Sequence, residues 1–147
     1  MWTILTPEVQ SAIKELTGHY GEGNLRYFPD GQGGAFVIIE NIALLPPYSQ
    51  KMTWIGFHIT QTCPYADVYP HFVRDDLSRE DGKELGQGFS KGHVFPPPDA
   101  KHVAERDRRS AVQISRKSNK RDNASNLETP LIKLLKVIEW VNSRLKD

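Results

Sequence analysis

Few residues in this chain could carry chemistry. There is one cysteine, Cys63, and there are five histidines, His19, His58, His71, His93 and His102. A thiol attacks carbonyls or binds metal as the thiolate, which needs exposure and nearby positive charge. No basic residue lies close to Cys63 in sequence, so it reads as a small buried hydrophobe before it reads as a nucleophile. A single cysteine excludes an intramolecular disulfide framework and cysteine-rich zinc modules. No two histidines have the H-x-x-x-H or H-x-x-E-H spacing that sets two ligands on one helix face, so neither a metal nor another cofactor is expected. His71 reads as a residue that hydrogen-bonds within a turn.

Among the hydroxyls, Ser110, Ser115 and Ser118 stand out by position. Acyl transfer by one of them would need a base and an oxyanion pocket. No G-x-S-x-G elbow is expected anywhere in the chain, and these serines read as turn and cap residues. Cys63 and Ser115 are thus weak catalytic candidates. The one local charge bias is Arg106, Arg108, Arg109, Arg116, Lys117, Lys120 and Arg121, diluted by Glu105, Asp107 and Asp122. Such a segment can contact phosphate. Single-strand binding also wants aromatics among the charges, and none lies between Phe95 and Trp140. The segment reads as a solvated loop, or as a docking surface for an acidic partner.

The elements that must position these residues follow from periodicity. Thr6-Pro7-Glu8 is a helix start, with Thr6 to cap and Pro7 at the first helical position. Val9, Ile13 and Leu16 recur at helical spacing, predicting a helix over Pro7–Thr17 that stops at Gly18. Strands are predicted at Leu25–Pro29, Ala35–Leu45 and Met52–Gln61, with His71–Val73 a short fourth. Short polar turns between them favour an antiparallel meander. Cys63-Pro64 and Tyr69-Pro70 leave the ladder, because proline cannot donate to it. The stretch Asp75–Gly92 reads as loop and Phe95–Pro98 as rigid and extended. Ala100–Arg109 reads as a short helix and Ser110–Ser115 as a strand returning to the sheet. Thr129-Pro130 repeats the helix start, and a wide apolar stripe predicts a helix over Pro130–Leu145 packed by Leu131, Leu135, Ile138 and Val141. Trp140 is expected at the edge of the core.

A chain of 147 residues makes one domain, 1–147, with a core that needs no staples. Net charge of +1 argues against a polyelectrolyte partner. The start, MWTILTPEVQ, has no basic n-region or long apolar core, so no secretory signal is expected. No window approaches a membrane span. A cytoplasmic protein without a membrane role is the expectation.

Helix, meander, Tyr-Pro turn, irregular stretch and crossing helix come in an order that resembles the ubiquitin-conjugating (UBC-like) superfamily. The Tyr-Pro element is Tyr69-Pro70-His71-Phe72-Val73, preceded by Pro64-Tyr65. Val112-Gln113-Ile114-Ser115-Arg116, followed by Thr129–Trp140, is most similar to the prokaryotic family-E branch, which is associated with bacterial ubiquitin-like modification systems. The resemblance covers Pro7 to Leu145. It implies an α+β, UBC-like fold: an antiparallel meander with an N-terminal helix and a C-terminal packing helix.

Conjugating enzymes carry their cysteine after the Tyr-Pro turn, beyond a His-Pro-Asn segment. This chain has no His-Pro-Asn and no cysteine after Cys63. Gln113 stands about where that cysteine is expected, and an amide forms no thioester. The resemblance therefore implies a fold and a partner class but no catalytic residue. It points to a non-catalytic pseudoenzyme that binds a ubiquitin-like protein, or its conjugating or activating enzyme. The expected partner-binding residues are Tyr65, Tyr69, Pro70, His71 and Phe72 on the turn and Arg116, Lys117, Lys120 and Arg121 in the basic segment. Two alternatives stand beside it. One is a diverged conjugating enzyme that uses Cys63 or a serine as acceptor. The other is an unrelated α+β domain whose basic loop binds nucleic acid.

Overall fold

A computed structural model describes residues 4–116 and 128–144 of the chain. Two helices, α1 (Pro7–Tyr20) and α2 (Pro130–Val141), bracket six strands. The strands are β1 (Leu25–Pro29), β2 (Ala35–Ala43), β3 (Met52–Ile59), β4 (His71–Arg74), β5 (Phe89–Phe95) and β6 (Arg109–Ile114). Both helices begin as their sequences dictate. Thr6 Oγ1 accepts the Val9 N–H at 3.2 Å, and Thr129 Oγ1 accepts the Ile132 N–H at 3.2 Å. α1 runs past Gly18 and ends at Gly21, where φ of +93° suits a residue without Cβ. Among the described residues no helix is long and apolar enough to cross a membrane.

The strands form one antiparallel sheet in the order β1-β2-β3-β4-β6-β5. The first four make the expected meander. β6 then returns to pair with β4, which leaves β5 at the edge. The class is α+β, and the predicted β1 to β4 and the return strand are all present.

Strand side chains alternate between faces, and here both faces are covered. One face carries Val37, Ile39, Ile55, Phe57, Ile59, Val73, Val112 and Ile114, which form one core cluster with α1 and α2. The opposite face carries Phe36, Ile38, Phe95 and Ala111, flanked by Phe28, Trp54 and Phe72. Ala100 and Val103 seat residues 96–108 across that second face. Arg108 holds this strap by donating to the carbonyls of Ala100 at 2.8 Å and Pro98 at 3.2 Å. Phe95 lies flat on Gly56: a Cβ there would sit 2.5 Å from the ring.

Three expectations are corrected. Residues within the predicted loop Asp75–Gly92 open strand β5 at Phe89, because the edge strand needs only one partner and tolerates Gly92 in a bulge. The predicted helix over Ala100–Arg109 is only a single 3-10 turn, Glu105–Asp107, and Arg109 already belongs to β6. Burial of Ala100 and Val103 against the sheet sets the path of this segment. α2 buries Pro130, Lys133, Leu134, Val137 and Val141, whereas Leu135 is 41% exposed. The apolar stripe spans more than one face, and a buried ion pair selects the face that includes Lys133. Leu145, the expected end of α2, lies outside the described residues.

Candidate functional site

The turn after β3 is tied to both helices. Cys63 N–H donates to the Thr60 carbonyl at 3.0 Å and Tyr65 N–H to the Thr62 carbonyl at 2.8 Å. Cys63 is 8% exposed and belongs to the helix-covered core, as a small apolar side chain would. It forms part of the wall of a cleft of about 330 Å³ between the starts of α1 and α2, with Pro7, Ser11, Pro64 and Pro130. Farther along the turn, Lys133 Nζ donates to the two Asp67 carboxylate oxygens at 2.9 and 3.0 Å. Both side chains are largely buried, at 4% and 12% exposure. A buried charge needs such a partner, so this pair fixes the turn against α2.

On the protein surface, Tyr65 is 68% exposed and Tyr69 38%, two residues to either side of Asp67. Beside Lys133, Ile132 and Leu135 are exposed on α2. Four of the chain's exposed large hydrophobics thus belong to two segments joined by one ion pair.

His71 is not available to a partner, contrary to expectation. Its position in β4 directs it to the helix-covered face, opposite Phe57 and Ile114 in register, where it is fully buried. Neither ring nitrogen has a hydrogen-bond partner among the described residues. Burial holds the imidazole down at about 3, with the Lys133 charge adding to the effect and Asp67 opposing it. The expected turn hydrogen bond is therefore absent among the described residues. Phe72 points to the other face and is half-buried, stacked on Phe95 at 4.9 Å between centroids. Pro70 is half-buried.

The basic segment is less available than its sequence implies. Arg109 donates to both Glu40 oxygens, at 3.0 and 2.6 Å, and lies 5.2 Å over the Trp54 ring. Arg109 in turn holds the Glu40 carboxyl below its usual range, against the opposing effect of burial. Arg108 is held in the strap and pairs with Glu105. Arg116 is exposed yet stacks on Trp140 at 4.8 Å. Trp140 also packs on Phe89 at 5.2 Å, at the core edge as expected. Lys117, Ser118, Lys120 and Arg121 lie outside the described residues.

Gln113 sits in the middle of a row across three strands: Phe72 of β4, Gln113 of β6 and Ser90 of β5. Its Nε2 donates to Ser115 Oγ at 3.2 Å. Ser90 Oγ and His93 Nε2 lie 3.1 Å apart. Neither Ser90 nor its pairing with His93 was singled out from the sequence. The expectation that the chain has no G-x-S-x-G sequence is corrected here, because Gly88-Phe89-Ser90-Lys91-Gly92 spells it. That motif means an elbow only between a strand and a helix, and here it lies at and within an edge strand.

Among the described residues no group of three or more His, Cys, Asp or Glu side chains could hold a metal ion. No family model, curated protein or solved structure matches the chain.

Proposed function

We propose that the chain is a UBC-like protein that binds a ubiquitin-like modifier, or the machinery that conjugates it, in a bacterial pathway, without carrying the modifier as a thioester. The observation that carries this reading is the position of the only thiol. Thioester exchange needs an accessible sulfur that attacks a carbonyl and later leaves. Cys63 is buried in the helix-covered core, and the return strand carries Gln113 about where the resemblance would expect a nucleophile. The succession of α1, an antiparallel meander and α2 supports the same reading, although the Tyr69-Pro70 turn falls between β3 and β4, inside the meander, where the resemblance expects it after the fourth strand. So does the aromatic and aliphatic surface around the Asp67–Lys133 pair. Tyrosines held on a fixed turn lose little freedom on binding and suit an interface anchor.

The test mixes the purified chain with a ubiquitin-like modifier, its activating enzyme and ATP. No reductant-sensitive adduct is expected, and Cys63→Ser should bind the modifier as the parent does. Tyr65→Ala with Tyr69→Ala should weaken binding at least about tenfold, as loss of interface anchors does. A reductant-sensitive adduct that vanishes in Cys63→Ser would overturn the reading in favour of a conjugating enzyme.

A further inference from the structure

We propose that Ser90 and His93 form a nucleophile–base pair that takes acyl groups from activated esters and thioesters. The proposal is independent of the binding reading above and uses the opposite face of the sheet.

Positions i and i+3 of a regular strand point to opposite faces. Ser90 and His93 do not. Ser90 pairs with Gln113 and His93 with Ala111, so three steps along β5 match two along β6. This is a β-bulge, a device that re-aims side chains and is common beside active sites. Gly92, with φ of +85°, provides the backbone freedom at this point. The result puts the hydroxyl and the imidazole on one face, with Oγ 3.1 Å from Nε2. That is within reach for proton transfer. The other side of the imidazole is supported by the Phe72 ring, 6.1 Å away and edge-on.

The surroundings supply room and a donor. An open cleft of about 360 Å³ lies on the far side of His93, lined also by Asp75, Val94 and Ser110, with Ser90 and Gln113 outside its wall. Gln113 lies directly across the ladder from Ser90, and one N–H of its primary amide goes to Ser115. A primary amide has a second N–H, here assigned to the oxyanion. Among the described residues the hydrogen bond of His93 is to Ser90, so the pair is a dyad. Ser90 itself is exposed on the edge strand, open to an incoming ester.

The step is an acyl transfer. The Ser90 oxygen attacks the acyl carbon while His93 Nε2 takes the hydroxyl proton. The tetrahedral species collapses by breaking the bond to the alkoxide or thiolate, which leaves with the proton from His93. The acyl group stays on Ser90 as an ester until water, with His93 again as base, releases the acid.

The experiment uses the full chain with p-nitrophenyl acetate, and in parallel a fluorophosphonate probe, followed by peptide mass mapping. The expected result is a burst of about one nitrophenolate per chain, with acetyl and phosphonyl both on Ser90. Ser90→Ala should abolish both labels. His93→Gln should slow acylation by about 10²–10⁴-fold, the usual contribution of a positioned base. Both side chains lie at the surface of an edge strand, so unchanged thermal midpoints will show that the variants are folded. Labels on lysine or tyrosine instead of Ser90, a burst that survives Ser90→Ala, or a His93→Gln rate within a factor of about three would overturn the proposal.

Discussion

At Gly56 the absence of one methyl group lets the second face of the sheet close. The Phe95 ring occupies the space a Cβ would fill, 2.5 Å from its ideal position, and Phe95 in turn meets Phe72, Trp54 and Phe36. Gly56→Ala should therefore force the ring off the sheet. Overpacking of this kind costs about 1–3 kcal/mol, measurable as a lower denaturant midpoint. A glycine inside a strand pattern does announce a close approach, but the partner is distant in sequence and no local pattern names it. The same limit explains Ser90 and His93. Ser90 falls in a stretch that reads as loop, and even within a strand a separation of three residues argues against contact until a bulge re-aims the chain. Cys63 was legible, because a lone cysteine without basic neighbours has little besides packing to do.

At the scale of elements, the helices were the most readable part. Thr6-Pro7 and Thr129-Pro130 each combine a cap with a proline at the first helical position, and both helices start there. The packed face of α2 was not readable. Apolar residues at 131, 132, 134, 135, 137, 138 and 141 admit more than one inward face. Burial of Lys133 beside Asp67 decides between them, and that contact joins residues far apart in the chain. Two predictions follow from the observed face. Leu134→Ala should destabilise the protein by about 2–5 kcal/mol, whereas Leu135→Ala should stay within about 0.5 kcal/mol, as exposed sites do. Urea melts of the two variants separate them. Asp67→Ala takes the carboxylate away from a buried ammonium, a change that typically costs about 3–5 kcal/mol. It should also release the Tyr65–Tyr69 turn from α2, seen as increased proteolysis at that turn.

For the whole molecule, pH dependence follows from a single core residue. The unfolded chain protonates His71 near 6.5, but the folded chain resists protonation until about 3. Between these values the unfolded state binds the extra proton, so acid favours unfolding. The contribution is complete above pH 6.5 and is lost as pH falls toward 3. The slope is about 1.4 kcal/mol per pH unit. Carboxylates held low by arginines, such as Glu40 beside Arg109 and Asp76 beside Arg74, act in a lower window. His71→Leu should therefore flatten stability between about pH 5 and 6.5 while leaving the steeper acid limb in place. Denaturant midpoints across this range check it, and an unchanged profile would mean that His71 titrates alike in the folded and unfolded chain.

The strap over the second face has a consequence for how the molecule opens. The helix-covered face is closed by two capped helices with many inward apolar side chains, and the Tyr48 hydroxyl donates to the Val141 carbonyl at 2.7 Å. The opposite face is closed by residues 96–108, braced internally by the Arg108 hydrogen bonds and seated on the sheet by Ala100 and Val103. Two small side chains bury little area, so lifting this cover takes far less free energy than separating the strands. The protein should thus breathe on one side only. In hydrogen exchange, the Val103 amide, bonded to the Ala100 carbonyl at 3.3 Å, should exchange through local opening with weak dependence on denaturant. The amides of Ile38 and Val112 should exchange only through global unfolding. Each local opening bares Phe36 and Phe95 to water, a transient aromatic surface on an otherwise closed sheet.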